Sequence, residues 1–196
     1  MLGHYHLWQS GVEHNDISEK NLMYDRFNED RGILNDYDLA HLSGRPRPSG
    51  TERTGTMPFM ALDLLTDDAW DGKVKRVYRH DCESFAWVLL WICCRYKDGK
   101  EIHEPPLREL ITADFKVCLE KKLAYLDRKL AATTSYKPYW RVVMDLLNWS
   151  IVHRQETKYR QETEPAAPEE EPTNDKVFEI YRNILEKRGF RDLSEL

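Results

Sequence analysis

The stretch VEHNDISEKNLMYD, residues 12–25, places His14 and Asp16 just ahead of Asn21, a carboxamide five residues beyond the aspartate. A carboxylate can accept a proton from a substrate hydroxyl, and a carboxamide oxygen is a hard ligand suited to magnesium. Fixed on one rigid turn, the pair could serve a reaction in which a hydroxyl attacks an electrophile beside a divalent ion. The same residues are also frequent turn formers, and a polar loop could hold them by composition alone. More of the chain is needed to decide.

Three further stretches follow in order. LNDYDLA carries Asp36 with Tyr37 behind it, twenty residues after Asp16. GTMPFMALD, residues 55–63, closes a long Ser/Thr/Gly/Pro-containing segment. RHDCESFAWVLLW sets Asp81 at the mouth of the most apolar run, Phe85 to Cys94. An aspartate there can accept N–H groups, so a structural role is expected for Asp81.

These stretches must be carried by recognisable elements. Residues 1–11 read as the last turns of a helix stopped by Gly11. Leu22–Tyr24 and Ile33–Leu34 read as a hairpin around a polar turn at Asn28–Gly32, and residues 41–56 as a long loop. Phe85–Cys94 predicts a buried helix. Phe115, Leu119, Leu123, Leu126 and Leu130 recur at spacings of 4, 4, 3 and 4, which predicts an amphipathic one. Tyr139–Ile151 predicts a third helix. A last helix, capped by Asp175 and ended by Gly189, exposes an apolar face that needs burial.

Composition narrows the class. The chain has 196 residues, 41% hydrophobic and 32% charged, with net charge −5. The acids between Gln155 and Asp175 account for that excess, so no basic field for nucleic acid exists. The run Phe85–Cys94 is too short for a bilayer, which needs about 20 residues. Cys82, Cys93, Cys94 and Cys118 lack metal-ligand spacing and read as reduced thiols. No signal peptide or transmembrane segment is expected, and an intracellular site, cytoplasm or nucleus, is.

Taken in order, HNDISEKN, LNDYDLA, GTMPFMALD and HDCESF resemble the C-terminal lobe of a protein kinase, most closely the fungal-type protein kinase family. The resemblance covers roughly residues 1–155. It implies a mainly α fold, a kinase-like C-terminal lobe with short β-hairpins at the catalytic cleft and its N-terminal lobe absent. Residues 1–155 would be that lobe, with catalytic loop 14–21, metal motif 36–38 and activation segment 36–63. Residues 156–175 would be an acidic, Pro-containing disordered insertion, and 176–190 a helix docking on the lobe.

The resemblance also implies roles. Asp16 would accept the substrate hydroxyl's proton and Lys20 balance the transferred phosphate. Asn21 and Asp36 would bind the cofactor, ATP, through Mg2+. His14, Asp81 and Asp63 would be structural. The activity implied is ATP-dependent phosphoryl transfer to Ser/Thr of a protein substrate.

Departures qualify this. Asn15 stands where the family's arginine pairs an activation-segment phosphate, and asparagine cannot do so. Asp38 replaces the glycine of D-F-G. Leu62 and Asp63 replace Pro-Glu, and no arginine partner for Asp63 is assignable from sequence. Residues 1–196 contain no Gly-rich phosphate loop and no V-A-I-K lysine, so little or no activity is expected of them alone. An exposed cleft floor would then favour a protein partner. Two rivals remain: a pseudokinase-like interaction module, and a small-molecule phosphotransferase of the aminoglycoside or choline type. GTMPFMALD, a peptide-docking platform in protein kinases, speaks against the last. No nucleic-acid or membrane partner is expected.

Overall fold

Asp81, a charged residue with no exposed surface, lies in the first turn of the helix around which the other elements gather. The computed structural model describes residues 2–25, 27–45, 55–164 and 171–190. In chain order its regular elements are α1 (Leu2–Gln9), β1 (Val12–Glu13), β2 (Leu22–Asp25), β3 (Asn28–Leu34), β4 (His41–Leu42), α2 (Asp67–Trp70), α3 (Tyr78–Arg95), β5 (Tyr96–Lys97), β6 (Lys100–Glu101), α4 (Phe115–Asp127), α5 (Trp140–Thr163) and α6 (Asn174–Lys187). The fold is mainly helical. Among the described residues, strands form only two-stranded antiparallel pairs: β1 with β4, β2 with β3 and β5 with β6.

From Phe85 to Cys94 α3 is apolar all round and is buried or half-buried at every position, as a stretch without a polar stripe must be, while its first turns bury charged groups that are paired. Trp87, Leu90 and Trp91 sit in the core with Phe59, Leu62 and Leu65 from the segment before α2, and with Val143, Leu146 and Leu147 from α5. No helix among the described residues is long and apolar enough to cross a membrane. The four cysteines are buried and free.

Several expectations shift. The hairpin turn is not at Asn28–Gly32: those residues belong to β3, and the chain reverses between Asp25 and Asn28. Asp25 Oδ1 accepts the Phe27 N–H at 2.9 Å, an Asx-type turn that sets the reversal earlier. The loop expected over 41–56 starts with a strand, because His41 and Leu42 pair with Glu13 and Val12. Its middle lies outside the described residues.

α5 runs twelve residues past Ile151, to Thr163, so the first part of the stretch expected to be a disordered insertion is helical. Residues 155–163 are mostly good helix formers, with Lys158 and Glu162 paired at i,i+4 and no proline before Pro165. Residues 165–170 of that insertion lie outside the described residues. The cap of α6 is the Thr173 hydroxyl, which accepts from Lys176 N, rather than Asp175. Asp175 instead accepts from the Tyr5 hydroxyl at 2.7 Å, while Tyr5 stacks on Phe178 at 4.1 Å. α6 thus packs against α1, α3 and α5.

Candidate active site

The segment from Val12 to Asn21 leaves β1, passes over the first turn of α3 and ends in a 3-10 turn at Glu19–Asn21. Asn15 is the pivot of this path, with φ 68°. Asparagine tolerates the left-handed region better than most residues, which accounts for its presence at a buried turn.

Beneath Asn15 lies Asp81. Its Oδ2 accepts from the Asn15 backbone N–H at 3.3 Å, from Trp8 Nε1 at 3.2 Å and contacts His4 Nε2 at 3.0 Å. Its Oδ1 accepts from Arg76 Nη2 at 3.1 Å, and the same nitrogen donates to the Asn15 carbonyl at 2.7 Å. Burial acts to raise the Asp81 carboxyl, but Arg76, His4 and Trp8 outweigh it and hold it well below the usual carboxylate range. Besides the Asn15 N–H, Asp81 has three side-chain partners that sequence reading did not pick out: His4, Trp8 and Arg76.

His14 is fully buried. Its Nε2 meets the Asn35 carbonyl at 3.0 Å, and its Nδ1 accepts the Asp16 backbone N–H at 3.3 Å. That pattern requires the neutral tautomer protonated on Nε2. Burial lowers the His14 pKa and favours the same form. Its ring meets Tyr37 edge-on at 4.8 Å. His14 therefore braces the loop against the segment that carries Asp36.

The Asp16 carboxylate is held at both oxygens. Oδ1 accepts from the Thr56 backbone N–H and from the Thr56 hydroxyl, each at 2.8 Å. Oδ2 accepts from Asn21 Nδ2 at 3.1 Å, and that amide also donates to the Asp16 carbonyl at 2.8 Å. Thr56 is a residue that sequence reasoning does not single out, and its sequence signal is the Gly-Thr pair at 55–56. Gly55 has φ 132°, and a Cβ there would lie 3.1 Å from the Asn15 carbonyl oxygen. Only glycine lets this chain come close enough to bring Thr56 onto Asp16.

Asp16 and Asn21 are therefore joined directly. Asp36 is tied in by backbone: Asn35 N donates to the Asn21 carbonyl at 2.8 Å. Asp36 is exposed, stands at φ 63°, and shares no hydrogen bond with Asp16 or Asn21. Lys20 is exposed on the 3-10 turn. Among the described residues no group of three or more His, Cys, Asp or Glu side chains is disposed as a metal centre. The oxygen set does suit a hard cation: Asn21 commits its Nδ2 to Asp16, which leaves Oδ1 for a ligand, and Asp36 adds an exposed carboxylate.

Asp63 lies at the far end of the same segment and does have arginine partners. Arg79 Nη1 reaches its Oδ2 at 2.7 Å and Arg154 Nε its Oδ1 at 2.9 Å, with His80 Nε2 at 3.8 Å. Burial acts to raise the Asp63 carboxyl, and His80 and Arg79 outweigh it, leaving it strongly lowered. Neither arginine was legible as a partner because both lie far along the chain, on α3 and α5.

Residues 1–93 match the family model described as fungal protein kinase. The likeness covers just under half of the 196-residue chain. The matched fungal protein kinase segment contains every candidate site residue and ends within α3, so α4, α5 and α6 lie beyond it. It is shorter than the 1–155 expected. No curated protein matches the chain.

Proposed function

We propose that the fungal protein kinase segment is the floor of a phosphoryl-transfer site acting on Ser/Thr hydroxyls of a protein. The observation that carries this reading is the Thr56 hydroxyl seated on Asp16 Oδ1 at 2.8 Å. An aliphatic hydroxyl at hydrogen-bond distance from a fixed carboxylate is the arrangement a substrate hydroxyl needs. Asp16 would take the hydroxyl proton as its oxygen forms a bond to the γ-phosphorus and the bond to the β-phosphate oxygen breaks.

Magnesium ATP, when bound, supplies the transferable phosphoryl group and neutralises its charge. Asn21 Oδ1 and the Asp36 carboxylate would hold the metal, and Lys20 would meet the phosphate's charge. Asn21 has a second task, keeping the Asp16 carboxylate oriented through Nδ2. Residues 1–196 include no Gly-rich phosphate loop, so we expect turnover only when a nucleotide-covering segment accompanies them. The test is phosphate incorporation into protein and into small alcohols by the chain joined to such a segment, with Asp16→Asn as control. Protein labelling abolished by the substitution is expected. Labelling unaffected by it, or confined to small alcohols, would overturn the reading.

A second reading, an interaction module without catalysis, is favoured by one observation. Met23, Tyr24, Ile33, Tyr37, Leu39 and Leu42, on the hairpin and the segment after it, are each at least 40% exposed. A stable protein partner held through these residues, with no change in melting on adding Mg·ATP, would favour that reading.

A further inference from the structure

A cleft of about 650 Å³ opens between the chain leading into α3 and the C-terminal half of α5. It shares no lining residue with the Asp16 site. Its floor is Arg79, only 8% exposed, whose guanidinium is used on all sides. Nη1 goes to Asp63, while Nε and Nη2 make a two-pronged contact with Glu171 at 2.8 and 2.7 Å. Glu171 arrives from a distant part of the chain, 92 residues away. Burial works against its charge, yet Arg79 outweighs that and its pKa is lowered.

The lining holds five cationic side chains, Lys73, Lys75, Arg79, Arg154 and Lys158, against three carboxylates, Asp63, Asp68 and Glu171. Lys73 is engaged by Asp68 and Asp71, and Arg154 by Asp63. Lys75 lines the cleft, is exposed, and makes no ion pair among the described residues. Lys158 lines the opposite side, with Glu162 only at 3.9 Å. A buried fork that already holds one carboxylate, flanked by two lightly committed lysines, is complementary to a run of carboxylates.

We infer that this cleft is a docking site for an acidic peptide segment of a protein partner, and that Glu171 competes from within the chain for its arginine. The occupant follows from charge and shape together. Glu171 demonstrates the bidentate carboxylate geometry at Arg79, and the cleft leaves room beside it that Lys75 and Lys158 face. Neither nucleotide nor Asp16 enters the inference, so it stands or falls apart from the catalytic reading.

The test is titration of the full chain with a fluorescent oligoglutamate peptide, against an oligoglutamine control, at two ionic strengths. Glu171→Gln removes the internal competitor's charge and should tighten oligoglutamate binding roughly tenfold. Lys75→Glu with Lys158→Glu should abolish the gain, while Lys121→Glu, outside the cleft, should leave it intact. Thermal melts of each variant establish that it is folded. Binding by Glu171→Gln no tighter than by the unaltered chain would overturn the inference. So would absence of binding, or binding insensitive to the Lys75/Lys158 reversal.

Discussion

Two acidic residues of the candidate active site, Asp81 and Asp36, are held in opposite ways. Asp81 has no exposed surface and serves four donor groups from α1, the Asn15 turn and Arg76. Asp36 is exposed, and its side chain makes only a long 3.4 Å contact with the Asp38 N–H. The first carboxylate is spent on structure and the second has no strong partner. Intermediate between them stands Asp16, half-buried, with both oxygens held yet reachable. A site that must present charge to a ligand is thus built by satisfying charge completely one layer below.

Breaking the buried side should cost most. Asp81→Ala leaves the Arg76 cation and three other donors without their acceptor, a loss on the order of 3–5 kcal/mol. At about 2–4 °C per kcal/mol for a chain this size, the melting temperature should fall by roughly 6–20 °C. A variant melting within about 2 °C of the unaltered chain would show that Asp81 is not the brace described.

A second buried charge sharpens the contrast by pH. Lys122 is fully buried, donates to the Met60 carbonyl and lies 4.2 Å from the Trp87 ring centre. Burial lowers its pKa to about 8. Its folded value lies below the unfolded one, so between pH 8 and about 10.4 the unfolded chain binds more protons and this group's destabilising effect is relieved as pH rises. The stability of the unaltered chain relative to Lys122→Met should therefore rise by up to about 3 kcal/mol from pH 7.5 to 10.5. Denaturant unfolding at both pH values checks this, and a flat difference would contradict it.

His14 gives a smaller effect of the same sign. Burial lowers its folded pKa, so the neutral form is the folded one and stability drains away as pH falls below the unfolded value of about 6.5. Protonation would also put a hydrogen on Nδ1 facing the Asp16 N–H. Histidine proton resonances followed by NMR should place His14 below 6.5, with the Asp16 amide shifting in step. A midpoint at or above 6.5 would contradict this bracing role.

Smallest is the exposed side. Asp36→Gly removes a side chain with no strong partner and relieves a left-handed φ of 63°, so stability should change by no more than about 1 kcal/mol, in the stabilising direction. Thermal melts decide. A drop comparable to that of Asp81→Ala would erase the distinction between the two carboxylates.

What was legible in the sequence follows the same division. The order of motifs and the buried helix could be read because they depend on near neighbours and on apolar runs. Asp16, Asn21 and the bracing parts played by His14 and Asp81 came from local spacing plus resemblance. Thr56, Arg76, Arg79, Arg154 and Glu171 did not, because each acts on a residue 5 to 92 positions away through a contact that only packing creates. Arg76 is near Asp81 in number, yet its value lies in reaching the Asn15 carbonyl as well. The extension of α5 to Thr163 is masked in the sequence by the acidic, proline-containing run that follows it, although the residues before Pro165 favour helix.

The central claim is that Asn21 and Asp36 present oxygens to one divalent ion beside Asp16. Mn2+, added with ADP to the 15N-labelled chain, broadens amide signals steeply with proximity and needs no turnover. Broadening centred on residues 16, 21 and 36, and lost in Asp36→Asn while the fold persists, is the predicted result. Broadening centred elsewhere, or unchanged by that substitution, would contradict it.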